Sequence, residues 1–107
     1  MIEEYTIPPV AVLGSTGSVG RQALDVCHRF GVRVDALTGG KNTAELEKQI
    51  RRFNPRVCAM ADADAARDLA VRVRDTDTEV YAGADGILRV IGETDAKTAV
   101  NSILGLA

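Results

Sequence analysis

The 107-residue chain is short of cysteine and histidine, and no apolar run approaches the ~20 residues that a membrane span needs. Each shortage removes a class of function. The two cysteines, Cys27 and Cys58, are far apart and in no metal-ligand spacing, which fits reduced thiols packed as small core residues in a cytosolic protein. The single histidine, His28, sits among arginines far from any catalytic partner and reads as a surface residue. Lysine and arginine number 13 against 15 acids, a net charge of −2, and the two signs are interleaved. No broad basic face is left to attract nucleic acid or an anionic membrane, so the expected partner is a small molecule. Met1-Ile2-Glu3-Glu4 is acidic and unlike a signal peptide, which places the chain in the cytoplasm. Asp62, Asp64, Asp75 and Asp77 flank helix ends without a calcium-loop pattern, and read as caps and turns rather than metal ligands. Arg51, Arg52, Arg67, Arg72 and Arg74 read as solvated helix faces. No low-complexity tract or internal repeat interrupts a composition that is 46% hydrophobic, so a single folded domain with one core is expected.

What is present is concentrated in Val10 to Gly20. A short apolar run, Val10-Ala11-Val12-Leu13, stops at three glycines spaced G-x-x-G-x-x-G: Gly14, Gly17 and Gly20. The run has the length and residue types of a buried parallel strand, and the residues after Gly17 can start a helix. A strand, a tight turn and a helix N-terminus direct free N–H groups and the positive end of a helix dipole at one spot, where phosphate binds well.

The remainder alternates in the same way. Residues 1 to 8 form a polar leader ending at Pro8-Pro9, and strand one runs from about 10 to 14. Helix one follows to Gly31, with Val19, Ala23, Val26, Cys27 and Phe30 forming its apolar face. Val32 to Thr38 is strand two. Asn42 or Thr43 caps a second helix with Leu46, Ile50 and Phe53 inward, stopped at Asn54-Pro55. Val57 to Met60 is strand three, and Asp62 or Asp64 opens a third helix with Ala66, Leu69, Ala70 and Val73 on one face. Glu79 to Tyr81 is strand four. Gly83 to Gly92 is a fourth helix through Ile87, Leu88 and Ile91, and Thr98 to Leu104 is strand five. This order predicts an α/β domain: a Rossmann-like parallel sheet with right-handed crossovers and helices on both faces.

The glycine pattern is weak alone but follows a buried-type strand and opens a helix inside a βαβ unit, as the dinucleotide fingerprint requires. Gly14 permits the turn, Gly17 lets a pyrophosphate approach the backbone, and Gly20 lets the helix lie close. Thr16 and Ser18 add hydroxyl donors. No lysine follows the last glycine, so this is not a Walker loop. Gly39 ends strand two 25 residues after Gly14, where an NAD enzyme carries an acid for the ribose 2′-hydroxyl. This chain has Lys41 there, suited to the 2′-phosphate of NADP. Asp35 falls mid-strand, too early to reach the ribose.

Leu13 to Gly20, Leu24-Asp25-Val26, Ala36-Leu37-Thr38-Gly39-Gly40-Lys41-Asn42 and Phe53-Asn54-Pro55-Arg56 together resemble the 1-deoxy-D-xylulose 5-phosphate reductoisomerase family over nearly the whole chain from about residue 9. The resemblance implies that Thr16, Gly17, Ser18 and Val19 contact the pyrophosphate side of NADPH, and that Gly40, Lys41 and Asn42 hold its 2′-phosphate end. It assigns no catalytic or metal-ligating residue here. The family's Asn-Lys-Glu segment, acidic metal site and substrate loop are absent, so residues 9–107 are expected to be the cofactor domain, truncated before the catalytic domain and without turnover alone. For the complete enzyme it implies an Mg²⁺- or Mn²⁺-assisted rearrangement of a sugar phosphate, hydride transfer from NADPH to give 2-C-methyl-D-erythritol 4-phosphate in non-mevalonate isoprenoid synthesis, and a homodimer. A second reading is a free-standing NADP(H)-binding sensor module without catalysis. A third is the cofactor domain of a semialdehyde-dehydrogenase-type reductase, against which Gly39-Gly40-Lys41-Asn42 argues.

Overall fold

The computed structural model of the chain describes residues 8–94 and 98–101. In chain order the elements are β1 (Val10–Leu13), α1 (Ser18–Phe30), β2 (Val34–Gly39), α2 (Thr43–Phe53), β3 (Val57–Met60), α3 (Ala63–Arg72), β4 (Glu79–Ala82), α4 (Gly83–Glu93) and β5 (Thr98–Asn101). All four strand pairings are parallel, in the order β4-β3-β2-β1-β5. The alternating parallel arrangement expected from the sequence is therefore the one observed. Of the expected polar leader, residues 1–7 lie outside the described residues, as do residues 102–104 of the expected fifth strand.

Every residue of β2 and β3 is buried, because helices cover the sheet on both sides. On one face Leu24 and Cys27 of α1, Leu46 and Ile50 of α2, and Ala66 and Leu69 of α3 pack against Val12, Leu37, Cys58 and Met60. On the other face Val90 of α4 packs against Ala11, Leu13, Ala36, Val57 and Ala59. The β1–β2 register skips a residue, pairing Val10 with Val34 but Ala11 with Ala36. This bulge leaves Asp35 between the pairs and turns Val34 to the same face as Leu37. Asp35 is buried near the start of β2, where its carboxylate accepts a 2.7 Å hydrogen bond from Thr94 and faces Arg33 and Arg56 at 3.8 and 3.6 Å. Arg56 also donates to the Glu93 carbonyl, so this cluster fastens the C-terminal end of α4 beneath the sheet.

Two helix faces differ from expectation. In α1 the buried positions are Gly20, Leu24 and Cys27, whereas Val19, Val26 and Phe30 are 51%, 53% and 65% exposed. The reason is Gly20: a helix approaches most closely where it has no side chain, and that rotates the inward face about one residue from the largest hydrophobics. In α4 the contact is again made by a glycine, Gly86, together with Val90, while Leu88 and Ile91 face outward. Ala70 of α3 is also exposed, its inward place taken by Ala65. The arginines stand on exposed faces, but Arg51 and Arg72 do more than meet solvent. Arg51 makes paired hydrogen bonds of 3.0 and 3.1 Å to Asp75, and both arginines reach Glu47, joining α2 to α3. Arg51 holds the Asp75 carboxyl below its usual range.

Cys27 and Cys58 are buried free thiols, and burial pushes the Cys58 thiol up to about 12. The folded state thus holds that proton more tightly than the unfolded chain, whose thiol titrates near ~8.5. The stabilising contribution is complete below that value and is lost as pH rises toward the folded-state value. Maleimide labelling of Cys58 at neutral pH is expected only on unfolding, and rapid labelling in the native chain would contradict this. Alanine for glycine inside a helix ordinarily stabilises by about 0.5–1 kcal/mol. At Gly20 the sign should reverse, because an added Cβ would lie 2.3 Å from the Gly14 carbonyl oxygen and 2.6 Å from the Ser15 Cα. Urea unfolding of Gly20→Ala should show a loss of about 1–3 kcal/mol.

Candidate functional site

Strand order places the glycine loop at a switch point. From β1 the chain winds through β2, β3 and β4 on one side, then returns to β5 on the other side of β1. In open parallel sheets of this kind the ligand crevice lies beyond the carboxyl ends of the strands where the winding reverses, and residues 14–17 follow β1 at that end. Gly14 has φ +76°, which only glycine adopts without strain, and its carbonyl accepts the Gly17 N–H at 3.2 Å. Gly20 then brings the first turn of α1 onto the Gly14–Ser15 backbone.

The end of β2 holds the loop from one side. Thr38 Oγ1 accepts the Gly14 N–H at 2.9 Å, and the Thr38 carbonyl accepts the Ser15 N–H at 2.8 Å and the Ser15 hydroxyl at 3.3 Å. From the other side Gln49 of α2 donates from Nε2 to the Ser15 carbonyl at 3.0 Å. Gly39 lies directly under Thr16: a Cβ built on it would meet the Thr16 methyl and Leu46 at 3.5 Å. The loops after β1 and β2 are therefore neighbours where Gly39 meets Thr16. Thr16 is half-buried between the loops. Gly17, Ser18 and Val19 are exposed on one side, and Gly40, Lys41 and Asn42 on the other.

The electrostatics of the helix starts separate α1 from the rest. Asn42 caps α2 through Oδ1 on the Glu45 N–H at 3.2 Å, and Asp62 caps α3 on the Ala65 N–H at 2.9 Å. The first turns of α2, α3 and α4 carry Glu45, Asp64 and Asp85. At α1 the cap is Gly17, no side chain accepts from the first turn, and no acid is present there. The positive end of its dipole is offset by no side chain. Asn42, expected either as cap or as a ligand contact, uses its oxygen for the cap, which leaves its NH₂ group to donate outward.

Two of these glycines are not required by the fold. A Cβ on Gly17 would meet only the Gly14 oxygen at 3.7 Å, an ordinary contact, and one on Gly40 would meet nothing within 4 Å. Neither has a positive φ. Both leave open space at the crevice, which suits close approach of a ligand to the backbone.

Thr38 and Gln49 were missed as site residues in the sequence. Thr38 reads as the last residue of a strand. Gln49 lies on the same face as Leu46, Ile50 and Phe53, and a lone amide on an apolar stripe was the available signal. Asp35, expected mid-strand, stands near the start of β2, since the strand begins only at Val34, and is away from these loops. His28 is exposed, its ring edge-on to Phe53 at 6.4 Å. Among the described residues no group of three or more His, Cys, Asp or Glu side chains is placed to hold a metal, and no helix is long and apolar enough to cross a membrane.

Residues 10–107 match the family model for 1-deoxy-D-xylulose 5-phosphate reductoisomerase. The reductoisomerase of Ruminiclostridium cellulolyticum is 37% identical over 98 residues, 92% of this chain and 26% of that protein. That of Acetivibrio thermocellus is 44% identical over 81 residues, 76% of this chain and 21% of that protein. Among solved structures, a reductoisomerase in complex with NADPH, fosmidomycin and magnesium superposes with a TM-score of 0.83 at 27% identity, over 91% of this chain and 24% of that one. The Zymomonas mobilis enzyme in complex with NADPH gives 0.74 at 32% identity, over 79% and 23%. The chain thus spans about a quarter of the length of the relatives it matches. In sequence and in fold this chain belongs to the 1-deoxy-D-xylulose 5-phosphate reductoisomerase family.

Proposed function

We propose that the chain is the NADPH-binding domain of a 1-deoxy-D-xylulose 5-phosphate reductoisomerase, with Thr16, Gly17, Ser18 and Val19 on the pyrophosphate and Gly40, Lys41 and Asn42 on the 2′-phosphate. The observation that carries this reading is the apposition of the two loops, Thr16 against Gly39, beside an α1 N-terminus that no side chain caps. The residues fit the cofactor. Backbone N–H groups at the start of α1 and the Thr16 and Ser18 hydroxyls supply donors for one phosphate group. The Lys41 ammonium, the Asn42 NH₂ and the start of α2 supply donors for another. The exposed Val19 side chain provides an apolar wall at the crevice. When bound, NADPH supplies a hydride to the aldehyde formed from the sugar phosphate.

For the complete enzyme the proposal includes that sugar phosphate, 1-deoxy-D-xylulose 5-phosphate, as substrate, with Mg²⁺ or Mn²⁺ held outside the residues described here. It also includes a homodimer and a cytoplasmic location, the last supported by two unpaired buried thiols. Comparison with the solved relatives supports the cofactor and the metal, since their complexes hold NADPH and magnesium.

Calorimetric titration tests the cofactor reading. NADPH should bind with an affinity that falls as salt is raised, and NADH should bind far more weakly. Lys41→Ala removes a charge-assisted hydrogen bond of about 1.5–3 kcal/mol, so NADPH affinity should drop about 10- to 150-fold while NADH is little affected. Equal losses for the two cofactors would remove Lys41 from the 2′-phosphate. Gly17→Ala should cost about 1 kcal/mol of stability and leave the fold intact, since glycine is preferred to alanine at an N-cap by about that much. The same change should weaken both cofactors, because the added methyl projects into the crevice.

A further inference from the structure

Gln49 is the one buried side chain of α2 with polar atoms, 4% exposed on the face otherwise made by Leu46 and Ile50. Its amide is used unevenly. Nε2 donates twice, to the Ser15 carbonyl and to Glu45 Oε2, each at 3.0 Å. Oε1 is buried with no hydrogen-bond partner among the described residues. Turning the amide over would set Oε1 against two acceptors, so the donors fix its orientation.

These bonds form a continuous path between the loops. Asn42 caps the N–H of Glu45, Glu45 accepts from Gln49, Gln49 donates to Ser15, and Ser15 donates twice to the Thr38 carbonyl at the end of β2. Ser15 is fully buried, so its carbonyl has no water to replace a lost donor. Beside the path a cavity of about 140 Å³ opens between α1 and α2, lined by Arg21, Asp25, Glu45, Gln49 and Arg52.

We propose that Gln49 is a positioning residue that locks the glycine loop to helix α2, so that the pyrophosphate and 2′-phosphate subsites are held as one rigid unit. It touches no ligand. Its role is to fix the Ser15–Thr16 peptide from below, and hence the direction of the N–H groups that follow. The ligands named rest on the cofactor reading above, whereas the lock itself is a property of the unliganded chain.

Three substitutions separate a donor from a filler. Gln49→Met keeps length and bulk but removes the donor. Gln49→Lys restores donors to both Ser15 and Glu45, discards the unpartnered oxygen and adds a charge that Glu45 can pair. Gln49→Glu offers a second carboxylate to two acceptors, facing Glu45 and Arg52 on its own helix and Arg21 and Asp25 on α1. Amide hydrogen exchange on the unliganded chain should show faster exchange at residues 14–19 in the Met and Glu variants, parent-like rates in the Lys variant, and unchanged rates in β3. NADPH affinity should follow the same order, with the Met variant down on the order of tenfold and most of that loss recovered by Lys. A side chain that merely fills space predicts the opposite order, with Met parent-like and Lys disruptive, and that result would overturn the proposal. So would unaltered exchange at residues 14–19 in the Met variant. If the parent chain binds neither NADPH nor 2′,5′-ADP, the cofactor reading fails, and the exchange rates alone then confirm or refute the lock.

Discussion

The architecture turns on a contact in which a side chain would not fit. Gly20 lets the first turn of α1 rest on the backbone of Gly14 and Ser15, where any Cβ would overlap the Gly14 carbonyl oxygen. This approach sets the direction in which α1 leaves β1. It also explains why the buried stripe of the helix is Gly20, Leu24 and Cys27, with Val19, Val26 and Phe30 turned outward. A helix packed through its bulkiest residues would stand farther from the sheet, and its N-terminus would no longer close the crevice beyond β1.

Around that contact the chain divides its labour along the strand direction. At the carboxyl ends, hydrogen bonds from Gly14 and Ser15 to Thr38 join the turn after β1 to the end of β2, and Gln49 holds the same turn from α2. At the opposite end the polar groups serve attachment. Asp35, displaced by the bulge, meets Thr94, Arg33 and Arg56, and Tyr81 and Arg89 hydrogen-bond Glu93. That cluster anchors α4, the helix that carries the chain across to β5. The loop contacts and the fastening cluster thus occupy opposite ends of one sheet.

Charge separates the helix starts. The first turns of α2, α3 and α4 carry an acid, and Asn42 and Asp62 cap α2 and α3, whereas α1 starts from a glycine with no acid in its first turn. An acid in the first turn of α1 would oppose an incoming phosphate, so its absence conforms to the expected ligand. Of the arginines of α2 and α3, Arg51 and Arg72 are engaged with Glu47, Asp68 and Asp75, Arg52 with Asp25 and Arg67 with Asp64, whereas Lys41 follows the end of β2.

The sequence by itself determined the alternation of strands and helices, the positions of Gly14, Gly17 and Gly20, and the placement of Lys41 just after the end of β2. These are local signals: a four-residue apolar run, a cap such as Asp62 or a turn glycine acts on its immediate neighbours and is readable there. Even the boundaries held within a few residues, as at β3 and α2. Only the tertiary structure decided which face of α1 and α4 is buried, because that choice belongs to the closest backbone approach, at Gly20 and Gly86, and not to the most hydrophobic stripe. The bulge at Asp35 has the same character, being a mismatch between two strands that neither strand encodes alone. Thr38 and Gln49 joined the site for a related reason: their partners are 23 or more residues away in the chain, and the worth of a buried donor depends on which carbonyl the fold sets opposite it.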